Sequence, residues 1–145
     1  MSIWIEPIDL GVVNERSRGT LAELLKIEFV DISDNSLTAR MPITPHVHQP
    51  LGIMHGGASC VLAETVGSTA ANYCVDQSTH YCVGLDINTN HIRSIRGGFV
   101  LAMATPYHRG RSTQVWHIEI VNEHSKIISI NRLTMAVLSR HAESA

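Results

Sequence analysis

Charged side chains are scarce in this sequence. Of its 145 residues, 17% are Asp, Glu, Lys or Arg, against roughly 25% in an average soluble chain. With hydrophobic residues at 44%, that shortage excludes intrinsic disorder and predicts that some surface is hidden in a partner. The formal net charge is −2. The large basic field that nucleic acid or an anionic membrane demands is therefore missing, and the expected partner is a small molecule or a second copy of the chain. Cysteine is rare as well. Cys60, Cys74 and Cys82 are odd in number and lack a C-x-x-C spacing, which argues against a disulfide framework or a cysteine zinc site and points to a reducing compartment, the cytoplasm. The opening MSIWIEPIDL carries Glu6 and Asp9 and neither a basic region nor an apolar run, so no signal peptide is expected. Internal repeats, low-complexity tracts and Pro/Gly-rich linkers are lacking too. The length suits one domain over residues 1–145, with a helical N-terminal segment (1–25) and a core (26–140).

Two catalytic signatures are also absent. G-x-S-x-G is broken at Gly57-Ala58-Ser59-Cys60-Val61, which together with the short chain removes serine-hydrolase chemistry. H-E-x-x-H is missing. His46, His48 and His55 could gather on zinc, but without that motif or a supporting cysteine no metal site is assigned. The nine histidines remain a compositional oddity.

What is present reads as strands around one helix. Residues 9–25 suggest one or two short surface helices around Gly19. Ile27–Ile32 and Leu37–Ile43 flank the turn-like Ser33-Asp34-Asn35-Ser36 and predict a hairpin. Pro42, Pro45 and Pro50 then break regular structure, with His46 to Gln49 expected as an extended loop. Gly56 to Val75 is rich in Ala and small residues and has one charge, Glu64; as a helix it spans about 30 Å. Glu64 and its polar neighbours make membrane insertion costly, so a helix surrounded by protein is expected. Tyr81–Ile92, Gly98–Tyr107, Thr113–Asn122 and Ile127–Leu138 read as four strands, with alternation in Val83, Leu85, Ile87 and in Phe99, Leu101, Met103. Short connections imply an antiparallel sheet. The predicted class is α+β, a hot-dog fold with the sheet wrapped around one long central helix.

The distribution of charge is uneven. Between Asp34 and Asp76 the only acid is Glu64. An ionised carboxylate in an apolar setting costs several kcal/mol after relaxation, so Glu64 either has a purpose, pairs with a base such as Arg40, or sits on a solvated stripe. From Ile87 to Ile118 there is no acid, while Arg93, Arg96, Arg109 and Arg111 lie in turns. They are either four solvated side chains or, if the turns converge, a phosphate-sized cluster suited to guanidinium forks. His55-Gly56-Gly57 opens the helix, where free N–H groups at the positive end of the dipole suit an oxygen developing negative charge; plain turn chemistry is the alternative. Gln49 and His55 could converge there as donors.

The segments HQPLGIMHGGASCVLAETVGS, VGLDINTNHIRS and PYHRGRSTQVWHIEI, in that order, resemble the hot-dog thioesterases of the 1,4-dihydroxy-2-naphthoyl-CoA hydrolase and enterobactin-proofreading type. The match runs from about Ile27 to Leu138. The resemblance implies hydrolysis of an aromatic or medium-chain acyl-CoA to free acid and coenzyme A, without metal and without a cofactor beyond the coenzyme A of the substrate. It implies Glu64 as nucleophile or general base, Gly56 N–H as polariser of the thioester carbonyl, and His55 and Gln49 as supports for that oxygen or for water. Ser68 would line the acyl pocket. Coenzyme A binding falls by resemblance on Gly84, on His91, Ile92, Arg93 and Ser94, and on the turn His108, Arg109, Gly110, Arg111, Ser112 and Thr113. It further implies active sites shared between two subunits, and dimers paired into tetramers. Two other readings compete with it: a non-catalytic acyl-CoA-binding or sensing protein on the same fold, and a hot-dog hydratase or dehydratase. The lone Glu64 with Gln49 and HGG favours the hydrolase, no DNA-binding element couples sensing to transcription, and the Asp/His pair of the third is missing.

Overall fold

A computed structural model describes residues 1–141. Asp9 starts helix α1 (Leu10–Arg16) by accepting the N–H groups of Gly11 (2.8 Å) and Val12 (3.2 Å), which fills two of the donors a helix start leaves orphaned. Helix α2 (Leu21–Leu24) follows a break at Gly19, whose φ of +74° favours glycine. The predicted hairpin is β1 (Glu28–Ile32) and β2 (Leu37–Pro42), closed by Ser33 N–H donating to Ser36 O at 2.9 Å. After it come α3 (Gly56–Tyr73), β3 (His80–His91), β4 (Phe99–Arg109), β5 (Thr113–Asn122) and β6 (Ile127–Ser139). One feature of the loop differs from expectation. Pro45–Val47 forms a 3-10 turn, because proline pre-sets φ for a helical first position, and His48 beyond it is extended and bridged to Met54.

The six strands form one antiparallel sheet in the order β1-β2-β4-β5-β6-β3, with α3 on its inner face: the α+β hot-dog arrangement. The inner face is fully buried: Leu37, Ala39 and Met41 on β2, Val100, Ala102 and Ala104 on β4, Trp116, Ile118 and Ile120 on β5, Leu133 and Met135 on β6. Against it α3 turns Leu62, Ala63, Val66, Gly67, Ala70 and Ala71. The packing is close enough that a Cβ on Gly67 would lie 2.6 Å from Leu133 Cδ2 and 3.2 Å from Ile118 Cδ1. Gly67→Val is therefore expected to lower unfolding stability by about 2 kcal/mol through overpacking, read from the denaturation midpoint; an unchanged midpoint refutes this contact.

Much of the apolar alternation seen in β3 and β4 lies on the wrong side for a core, although Ile87, beyond a register shift between Gly84 and Asp86, packs against it. Val83 is 40% exposed, Leu85 62% and Met103 45%. β4 presents Val100, Ala102 and Ala104 inward and its larger apolar residues Leu101 and Met103 outward. The N-terminal segment ties down the far end of α3. Ile5 N–H donates to Tyr73 O at 2.9 Å, and Trp4 stacks on Trp116 with ring centroids 6.5 Å apart. Along the other edge the Asn14 amide behaves like a strand neighbour, donating to Phe29 O (3.0 Å) and accepting Phe29 N–H (2.8 Å). No helix among the described residues is long and apolar enough to cross a membrane.

Candidate active site

The start of α3 is built by small residues and histidines. His55 is the N-cap, its Nδ1 accepting Gly57 N–H at 2.8 Å, so the neutral ring carries its proton on Nε2. A Cβ on Gly56 would lie 2.8 Å from His91 Nε2; glycine is what lets the end of β3 close over the helix terminus. Among the described residues no acceptor takes the Gly56 N–H. Beside it is a cavity of about 280 Å³ lined by Gln49, Met54, Gly56, Ser59, His91, Ile92, Arg93 and Ser94, among others. Ser59 Oγ is fully buried there without a hydrogen-bond partner.

The loop that carries Gln49 is held rigidly. Gln49 N–H donates to Ile53 O (2.9 Å) and Gly52 N–H to Gln49 O (2.9 Å), with Gly52 at φ +74°. The Gln49 side-chain oxygen takes Leu51 N–H, so its amide hydrogens are left for the cavity. Arg96 clamps the same loop, donating to Leu51 O at 3.1 Å and Gly52 O at 3.4 Å. That assigns Arg96 a structural task that sequence reasoning did not foresee. Two of the three histidines considered for zinc are engaged otherwise: His48 Nε2 bonds Arg96 O at 2.8 Å, and His55 caps the helix.

Glu64 lies two turns further on, half-buried, on the stripe of α3 turned away from the sheet centre. Its carboxylate sits directly over Gly84 of β3, where any Cβ would collide with Glu64 Oε1. The salt bridge weighed for it does not form, because Arg40 pairs with Glu28 at 3.2 Å. Among the described residues Glu64 makes no ion pair and no hydrogen bond, and is thus a free carboxylate. Ser68 follows one turn later, its hydroxyl 3.8 Å from Met135 Sδ.

The predicted residues fall into separate groups. Gln49, His55, Gly56 and the run His91 to Ser94 gather at the start of α3. Glu64, Ser68 and Gly84 gather at its middle, eight residues or about 12 Å along the axis from Gly56. One carbonyl cannot meet both Gly56 N–H and the Glu64 carboxylate of the same chain. The arginine pairs do not converge within the chain either. Arg93 is at the start of α3, whereas Arg109 stands against the Cys74 sulfur at the helix's other end, about 27 Å away. The turn His108 to Thr113 is tight, with Gly110 N–H donating to Thr113 O at 2.8 Å and Val137 N–H to Ser112 O at 2.9 Å. A Cβ on Gly110 would strike His108 Nε2. Burial pushes the Cys74 thiol up to about 11 despite Arg109, and the Cys82 thiol likewise to about 11, so neither is a thiolate nucleophile near neutral pH. Sequence reasoning missed Ser59; its signal would have been a serine on the sheet-facing side of the helix, one turn after Gly56.

A sequence profile of the thioesterase superfamily matches residues 51–129. A Vibrio cholerae protein named as an esterase is 53% identical over 137 residues, covering 94% of this chain and 91% of its own. The 1,4-dihydroxy-2-naphthoyl-CoA hydrolase of Escherichia coli is 43% identical over 136 residues, covering 94% and 99%. Among solved structures, a thioesterase of Pseudomonas aeruginosa, crystallised with a glutamine replaced by alanine, superposes with a TM-score of 0.94 at 46% identity, covering 95% of this chain and 99% of that one.

Proposed function

The chain belongs to the thioesterase superfamily and is a thioester hydrolase; from that premise we propose that it cleaves an aromatic or medium-chain acyl-CoA to the free acid and coenzyme A. The observation that carries this reading is the free, half-buried carboxylate of Glu64 over Gly84, with an unclaimed helix-terminal N–H at Gly56. Glu64 either attacks the thioester carbonyl or takes a proton from water as the water attacks. In both cases the acyl–sulfur bond breaks, the acyl group gains an oxygen derived from water, and the thiolate leaves with a proton. Gly56 N–H holds the carbonyl oxygen as negative charge builds on it. Gln49 and His55 support that oxygen or the water, and Ser68 borders the acyl group.

Because Gly56 and Glu64 of one chain are too far apart for one carbonyl, the proposal includes a second copy that supplies Gln49, His55 and Gly56 to the first copy's Glu64. The outer edge of β3 supports this. It ends the strand order, is 12 residues long, has neither lysine nor proline to guard it, and exposes Val83 and Leu85. Met103 and Ile130, both exposed, flank Glu119 on the outer face of the sheet and support pairing of dimers into tetramers. Between two copies the separated arginines have a route to one ligand. Coenzyme A then lies along Gly84, His91, Ile92, Arg93 and Ser94 and reaches the turn His108, Arg109, Gly110, Arg111, Ser112 and Thr113. Three free cysteines fit the cytoplasm.

A panel of aromatic and aliphatic acyl-CoA substrates, assayed for thiol release with and without a chelator, tests the proposal; release unaffected by the chelator is expected, and no release from any member overturns it. Arg93→Ala and Arg109→Ala should each raise KM for acyl-CoA about tenfold, the effect of one charge-assisted hydrogen bond. KM for a short pantetheine thioester, which has no nucleotide phosphates, should change far less. Equal effects on both substrates count against the phosphate assignment.

A further inference from the structure

A cavity of about 470 Å³ runs along the outward stripe of α3, beneath α1 and α2. Its near wall is Thr65 and Ser68, the neighbours of Glu64. Its far wall is Tyr73, about 12 Å beyond Thr65 along the axis. The acyl-CoA reading sends the acyl group past Ser68 into this space, and the far end decides what that group must be.

Most polar groups in the wall have already spent their hydrogens. Thr65 and Thr69 donate to the carbonyls of Val61 (2.6 Å) and Thr65 (2.8 Å). Ser17 and Thr20 donate to the carbonyls of Val13 (3.4 Å) and Ser17 (2.5 Å). The Asn72 amide donates to Ser68 O and Cys82 O and accepts Cys82 N–H. The free donors are the Gln77 amide, the Arg16 guanidinium and the Tyr73 hydroxyl. Arg16 gives one N–H to Tyr73 Oη at 3.3 Å, with Cζ 6.0 Å from the ring centroid. The Tyr73 O–H itself meets no acceptor among the described residues. Arg16 is the one charged side chain in the wall, and it forms no ion pair among the described residues, its neighbour Glu15 being taken by Arg18 at 3.0 Å.

We propose that the far end of this cavity receives a carboxylate, held by Arg16 and the Tyr73 hydroxyl, so that the preferred substrate is the mono-CoA thioester of a medium-length dicarboxylic acid. A guanidinium and a phenol together match the two oxygens of a carboxylate. A plain alkyl end would leave the hydroxyl of the buried Tyr73 without an acceptor and the Arg16 charge without a partner. The proposal rests on the thioesterase reading above, and the test keeps the two apart.

In the full chain, kcat/KM for the mono-CoA thioester of octanedioic acid should exceed that for octanoyl-CoA about tenfold or more, the effect of one charge-assisted hydrogen bond. The ratio should fall to near one in Arg16→Gln, drop in Tyr73→Phe, and survive in part in Arg16→Lys. A ratio taken within each variant is insensitive to how much of it folds. A ratio near one in the unaltered protein, or one that survives Arg16→Gln, overturns the inference and leaves the thioesterase reading standing. If no acyl-CoA is cleaved, the thioesterase reading falls instead, and calorimetry with the free acids still decides the cavity. Octanedioate binding about tenfold tighter than octanoate, with the advantage lost in Arg16→Gln, upholds the carboxylate site, and equal binding ends it.

Discussion

Glu64→Gln is expected to give a folded protein that hydrolyses its thioester substrate about 10³-fold more slowly, the scale of a lost general base or nucleophile. The change is nearly isosteric. Glu64 has no ion pair or hydrogen bond among the described residues to lose, so the melting temperature should move little. A carboxylate that held the fold together would behave in the opposite way, because stripping one partner from a buried pair strands the other charge at several kcal/mol. The decisive pair of measurements is thiol release beside thermal unfolding. A variant with near-full rate sinks the role given to Glu64, and a variant that unfolds shows the carboxylate to be structural.

Gly84→Ala should have the second largest effect, about 10²-fold on kcat. A methyl at this position meets Glu64 Oε1, the free end of a flexible side chain, so the strand survives and the carboxylate is pushed aside. Displacing a reacting group by about 1 Å costs on that order. Shortening the acid supplies the control: Glu64→Asp in the Gly84→Ala background removes the collision, and the two substitutions together should cost less than the sum of each alone. Strict additivity would mean that Gly84 and Glu64 do not act on each other. A loss confined to KM would place Gly84 with coenzyme A alone.

The elements were legible because local chemistry marks their ends: serines and Asp-Asn at the first hairpin, Gly56-Gly57 at the helix start, and Gly-rich or Asn-rich turns between strands. Glu64 stood out as a lone acid in a neutral span. Which face of β4 is inward was not legible, since alternation has a phase but no direction until the distance to the helix is known. The fold turns Ala102 and Ala104 inward and Leu101 and Met103 outward. The separation of Gly56 from Glu64 was implicit in the rise per residue of a helix. The opposite placement of Arg93 and Arg109 was not, because it depends on where β3 and β4 end relative to α3. Arg96 looked like one of four equivalent arginines, and only the fold shows it clamped on Leu51 and Gly52. The low charge of the chain predicts hidden surface, and the exposed apolar residues Val83, Leu85, Met103 and Ile130 are where the proposed pairing would place it.

The Asn14 amide on the backbone of Phe29 bears on how many copies can join. A sheet with two bare borders adds neighbours on both sides and grows without limit into a fibre. Here the border at β1 is occupied from within by a side chain that imitates the next strand, and the border at β3 alone is vacant. Two such sheets meeting β3 to β3 under a twofold axis leave only sealed borders at either end, so edge-to-edge growth stops at a pair. On the proposed pairing, the Asn14 side chain on Phe29 would help cap the sheet at two copies.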